Sequence, residues 1–212
     1  MTSPHRKPVQ ERSRKTYDLL LETTGILLEE VGIERISTNL ICQRANVTAP
    51  AFYRYFDDKY AVIGALAERL IQRQHTALEA WIDRQRDATY DTIVDHVIDL
   101  VQEMGSITGS QPGAVWIMRA LRAVPKLSHI RLASHNYATD LLTDFYVPYL
   151  PDIPRELIRR RTRISVEISY SIDEMLKEES IDRDAVLDDL VFIFRAMYYL
   201  PDLGDIRQSG AA

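Results

Sequence analysis

The chain has 212 residues, 46% of them hydrophobic and 27% charged, with a formal net charge of −5. That is the balance of a soluble globular protein long enough to bury a substantial core. No run approaches 18 consecutive apolar residues, which excludes a membrane-spanning helix. The single cysteine, Cys42, excludes an internal disulfide and a cysteine-cluster metal site.

Residues 1–10 contain Pro4 and Pro8 and are expected to form a flexible arm. The amino end is polar and basic with no apolar stretch behind it, so no signal peptide is expected and a cytoplasmic location is the simplest one. Residues 1–15 carry Arg6, Lys7, Arg12, Arg14 and Lys15 against Glu11 alone, so the negative total conceals a basic end on an acidic body. A first helix is predicted over Arg12–Val31, with Tyr17, Leu20, Leu21, Thr24, Leu27, Leu28 and Val31 on one stripe and Gly32 as its C-cap. Arg12, Arg14 and Lys15 at its start are candidate phosphate contacts.

The stretch Ser37–Lys59 organises the rest. Ser37 is an N-cap residue, and Leu40, Ile41 and Ala45 recur behind it at helical spacing. Asn46 stands where that helix must stop and tolerates the left-handed conformation a short turn needs. Val47 is expected to plug the core between two helices and Thr48 to cap the next, predicted over Ala49–Phe56, with Pro50 in its first turn. Phe52 and Phe56, four apart, face inward, which leaves Ala49, Pro50, Ala51, Tyr53, Arg54 and Tyr55 outside. Asp57 is the expected cap of a further helix, with Lys59 in its first turn. Two short helices joined this way form a helix-turn-helix, whose second helix enters the major groove of duplex DNA.

The run Ala45–Lys59 resembles the turn and recognition helix of TetR-family transcriptional regulators, which typically read A-G-V-S-x-x-T-L-Y-x-Y-F-x-x-K. The spacing is kept without a gap. Asn46 replaces the turn glycine, Ala51 a hydroxyl residue that often touches DNA, and Phe52 a leucine. The likeness is specific over about residues 12–65 and architectural beyond. Tyr53, Tyr55 and Lys59, with Thr38 and Asn39 at the start of the second helix, would clamp phosphates. Arg54, with Thr48, Ala49, Pro50 and Ala51, would meet base edges, arginine on guanine and the small apolar groups on thymine methyls.

A fourth helix is predicted from Asp57 to about Arg84, a break at 85–89, and a fifth helix over Thr89–Met104. The loop Gly105–Gly113 lacks the Gly-Lys-Ser/Thr ending of a phosphate cradle. Further helices are predicted over Ala114–Val124, Lys126–Tyr146, Arg155–Glu179 and from Asp182 or Asp184 to about Leu200–Pro201, with a loose tail at Gln208–Ala212. The five histidines have no metal-ligand or di-iron spacing, and no nucleophile elbow or dinucleotide loop occurs, so neither an enzyme nor a bound cofactor or metal is expected.

The expected fold is all-α with about nine helices: an arm and helix-turn-helix domain over 1–56 and a helical effector-binding and dimerisation bundle over 57–212. Trp116, Arg119, His129, Asn136, Tyr137, Tyr146, Glu167 and Tyr170 are candidate lining residues of an effector pocket, being aromatic with a few polar groups among helices. Ile164, Ile168, Ile172, Leu187, Leu190, Val191, Phe194 and Met197 form apolar stripes on the last two helices. The resemblance implies that these pair with a second copy, and two heads on successive turns of a palindromic operator also require a dimer. The function expected is a homodimeric DNA-binding regulator, a repressor released by an unknown small molecule. The alternative is a helical ligand- or partner-binding protein without operator recognition.

Overall fold

The computed structural model describes residues 5, 6, 8 and 10–199. Among these lie ten α-helices: α1 Glu11–Arg35, α2 Thr38–Ala45, α3 Ala49–Tyr53, α4 Lys59–Arg84, α5 Tyr90–Asp95, α6 Val97–Gly109, α7 Ala114–Ala123, α8 Ser128–Tyr146, α9 Arg155–Glu178 and α10 Arg183–Tyr199. Short 3-10 turns at Pro125–Leu127 and Val147–Tyr149 precede α8 and follow it. A single antiparallel bridge between His5 and Phe56 is the only strand-like pairing among the described residues.

The all-α architecture agrees with the sequence, and most boundaries follow local chemistry. Gly32, at φ 73° and ψ 174°, breaks the end of α1. The Ser37 hydroxyl accepts from the Leu40 N–H at 3.2 Å, closing the start of α2. Asn46 adopts the left-handed conformation, φ 52° and ψ 46°, and ends α2. Thr48 takes the N-cap position of α3 with extended backbone but makes no side-chain cap. Asp182 caps α10, its carboxylate accepting from the amides of Asp184 and Ala185.

Several boundaries differ from expectation. α3 ends at Tyr53 rather than Phe56. Asp58, not Asp57, caps α4, accepting from the Ala61 amide at 2.8 Å. The fifth predicted helix is two helices, parted at His96. α6 runs on through Gly105–Gly109, so only Ser110–Gly113 remain of the expected loop. The end predicted near Leu200–Pro201 and the tail Gln208–Ala212 lie outside the described residues.

The chain forms two compact units: Met1–Gln74 with Ser106–Ser134, and His75–Gly105 with His135–Ala212. The expected boundary after residue 56 therefore falls inside the first unit, and the observed ones fall within α4, α6 and α8.

The first unit is built on one core. Leu20, Leu27 and Leu28 of α1, Ile41 of α2, Phe52 of α3, Phe56, Val62, Ile63 and Leu66 of α4 and Ile117 of α7 are fully buried in it. Each such aliphatic or aromatic side chain contributes about 1.5–3 kcal/mol of burial. Gly113, at φ 72°, lets the start of α7 approach α1. A Cβ there would lie 2.5 Å from the Gly25 carbonyl oxygen. Gly25 has the complementary need, since its Cβ would come within 2.9 Å of the Pro112 carbonyl oxygen.

The second unit has two cores. Trp81, Ile93, Leu100, Tyr146 and Ile158 centre one, and the Trp81 indole N–H donates to the His96 carbonyl at 3.2 Å. Val97, Val101, Leu187, Leu190 and Phe194 centre the other, with Ile168 and Ile172 of α9 packed against it.

Candidate nucleic-acid interface

The head of the first unit is a helix pair held from beneath by aromatic rings. Phe52 and Phe56 are both 0% exposed, with centroids 5.5 Å apart, and Tyr17 of α1 stacks on Phe56 at 5.0 Å. Burial pushes the Tyr17 phenol up to about 12, with Glu68 and Asp18 adding to the rise and Arg69 opposing it. Anchoring every fourth residue fixes which side of α3 turns outward. Thr48, Ala49, Pro50, Tyr53 and Arg54 are exposed, and Ala51 is half-buried.

Two hydroxyls connect the start of α2 to the end of α3. Thr38 Oγ1 at the start of α2 lies 3.3 Å from the Tyr53 hydroxyl on α3, and Asn39 beside it is exposed. The first amides of α2 have no intrahelical acceptor, so donors from both helices gather at one surface point. Helix N-termini with such donors are suited to anionic oxygens. Arg54 follows Tyr53 as the C-cap of α3, its guanidinium 5.9 Å from the Tyr55 ring centre.

Two of the expected contacts are elsewhere. Tyr55 was placed outside by its position in the sequence, yet it is 5% exposed, edge-on to Tyr17 at 5.9 Å. α3 has ended by that point, so helical spacing no longer sets its direction. Lys59 is half-buried, and its ammonium donates to the carbonyls of Ile33 at 3.0 Å and Ile36 at 3.1 Å. It closes the end of α1, where carbonyls lack helical partners, rather than presenting a free charge.

Comparison with known proteins places this head. The family model described as "Bacterial regulatory proteins, tetR family" matches residues 20–66. Over those residues the chain carries the TetR family's amino-terminal segment. The nucleoid occlusion factor SlmA of Haemophilus ducreyi is 34% identical over 67 residues, 32% of each chain. The class A tetracycline repressor from transposon 1721 of Escherichia coli is 40% identical over 50 residues, 24% of this chain and 23% of the repressor. The chain thus matches a third or less of the length of either relative. The fold extends further: a putative TetR-family regulator of Syntrophomonas wolfei superposes over 88% of this chain and 96% of its own, with a TM-score of 0.68 at 11% identity.

The eight expected pocket residues divide between the units. In the first, Trp116 packs against Gly32, Arg119 lies over the Trp116 ring at 5.3 Å, and His129 is exposed. In the second, Asn136 and Tyr137 are exposed, Tyr137 donating to Glu79 and lying against His75. Tyr146 is buried in the core. Glu167 and Tyr170 come together around a histidine the sequence left aside. His135 is 1% exposed, stacks on Tyr170 at 4.4 Å and 13°, and contacts Glu167 Oε1 through Nδ1 at 2.9 Å. Arg163 donates to the same oxygen at 2.6 Å. Burial alone would raise the Glu167 carboxyl, but the bonds to His135 and Arg163 and their charges carry it down to about 2.

The stripes on α9 and α10 are also redistributed. Leu187, Leu190 and Phe194 are buried within their own unit, while Ile168, Ile172, Val191 and Met197 are partly buried against the same core. The first three contribute to the chain's own core, and the other four lie at its edge. Ile164 remains 48% exposed, and Phe192, absent from the expected stripe, is 73% exposed beside Ile193 at 41%. A large aromatic left that open was findable in the sequence only as an apolar residue off the main stripe.

Proposed function

We propose that the protein is a sequence-specific, duplex-DNA-binding transcriptional regulator that acts as a homodimer, a repressor whose grip is released by a small molecule. The observation that carries this is the outward row Thr48, Ala49, Pro50, Tyr53 and Arg54 on a helix fixed from beneath by Phe52 and Phe56.

Arg54 donates to guanine, the commonest specific base contact, and Ala49, Pro50 and Ala51 pack on thymine methyls beside Thr48. Thr38, Asn39 and Tyr53 hold phosphates and set the register, with Arg12, Arg14 and Lys15 as further basic groups at the start of α1. Tyr55 and Lys59 support the head from within.

Dimerisation is assigned to the outer faces of α9 and α10, through Ile164, Phe192 and Ile193. Phe192 alone would remove a large apolar side chain from water. The effector is assigned to the second unit, with Glu167 and Tyr170 beside His135 as its polar end. To act as a switch it must bind two head spacings with different affinity. α4, which starts directly after the head, belongs to both units, as do α6 and α8, and is one of three covalent routes between them. The tetracycline repressor's name supports the sign of regulation chosen here.

The test is a titration of DNA from the chain's own upstream region against a random-sequence duplex at two salt concentrations. Preferential binding to the former is expected. Binding to neither leaves a helical ligand- or partner-binding protein as the function.

A further inference from the structure

The amino-terminal arm was expected to be loose, and two of its residues are docked instead. His5 pairs with Phe56 in an antiparallel bridge, and the Arg6 amide donates to the Tyr55 carbonyl at 2.9 Å. Tyr55 and Phe56 lie just beyond the α3 C-cap Arg54, so His5 and Arg6 lie across the carboxyl end of the recognition helix. Carbonyls at a helix end have no helical donor, and Arg6 Nη1 reaches that of Arg54 at 3.5 Å. The His5 side chain is 3% exposed, with Nε2 3.3 Å from Glu68 Oε2 of α4 and its ring 6.5 Å from that of Tyr17. A backbone bridge and a buried side chain thus hold the segment at two points.

The same docking turns Arg6 outward. Its side chain is 68% exposed and lies 3.6 Å from Asp57 Oδ1, itself 62% exposed. An exposed pair of this kind contributes about 0–1 kcal/mol, little enough for a phosphate to displace Asp57. A cation at the carboxyl end of a helix is also favoured by the helix dipole.

We propose that His5 and Arg6 form a clasp on the recognition helix, in which His5 is a positioning residue and Arg6 is a DNA phosphate contact additional to those of the helix-turn-helix. The clasp rests on the assignment of the head to duplex DNA. It assigns a function to a segment that lies outside the family match at residues 20–66.

The experiment uses the full chain and a random-sequence duplex, reading the slope of log affinity against log salt together with the thermal midpoint. Each neutralised phosphate contributes about 0.9 to that slope on B-form DNA. Arg6→Ala should flatten the slope by about 0.9 per head with an unchanged midpoint. His5→Ala should flatten it equally, the double variant should add nothing, and His5→Gln, which keeps a donor for Glu68, should restore it. A wild-type slope in Arg6→Ala overturns the clasp alone, and needs no buried residue to be disturbed. Additive losses in the double variant overturn the positioning role of His5. No salt-dependent binding by the unmodified chain overturns the DNA assignment and the clasp together.

Discussion

The Lys59 ammonium lies 3.0 Å from the Ile33 carbonyl oxygen, and a second bond to Ile36 ties the start of α4 to the end of α1. Hydrogen bonds to a charged group contribute about 1.5–3 kcal/mol each before the cost of leaving a partner unmet. Lys59→Ala, which removes both bonds, should therefore lower stability by about 3 kcal/mol or more while leaving the salt slope of DNA binding unchanged. Denaturant unfolding and a salt titration on the same variant separate the two effects. A flattened slope at full stability would return Lys59 to the phosphate contacts.

The turn makes a second prediction. Asn46 occupies the left-handed region, which costs residues other than glycine about 1–2 kcal/mol, least for asparagine. Asn46→Gly should be neutral or mildly stabilising, and Asn46→Val should destabilise by about 1–2 kcal/mol, read from the denaturation midpoint.

Much of the head was legible because its signals are local. A serine cap, a left-handed asparagine, a proline in the first turn and two phenylalanines four apart each act within one turn of chain. Tyr55 and Lys59 were misplaced for the opposite reason. Their surroundings are supplied by Tyr17, Ile33 and Ile36, far away in sequence, and by the early end of α3. His5 is a stronger case, since nothing near it in sequence shows that Glu68 and Phe56 will receive it. The stripes on α9 and α10 were readable as apolar, but periodicity does not say whether the covering surface belongs to the same chain. The Gly105–Gly109 segment stays helical despite its glycines. A Cβ on Gly105 would come 3.1 Å from Asp173 Oδ1, so close packing explains the missing side chain there.

The association face can be tested with two phenylalanines two residues apart. Phe194 is buried, so Phe194→Ala should cost about 3–5 kcal/mol of stability. Phe192 is open, so Phe192→Glu should leave the protomer folded and lower dimer content. Sedimentation of both variants at micromolar concentration is the check; a Phe192→Glu variant that stays fully dimeric moves the interface elsewhere.

Acid should loosen the second unit through Glu167. Its folded carboxyl titrates near 2, below its ordinary value of 4.5, so its contribution is present above about 4.5 and is lost as pH falls toward 2. Glu167→Gln should be less stable than the parent at neutral pH and converge with it in acid. Unfolding midpoints measured from pH 7 down to about 2.5 give the comparison.

The most direct measurement is selection from a pool of random duplexes, followed by affinity for the enriched sequence with the parent and Arg54→Ala. The parent should enrich a two-fold-symmetric site, and Arg54→Ala should lose about 1–3 kcal/mol of preference for it at an unchanged thermal midpoint. No enrichment, or an Arg54→Ala variant with undiminished preference, would contradict the assignment of α3 as the helix that reads DNA.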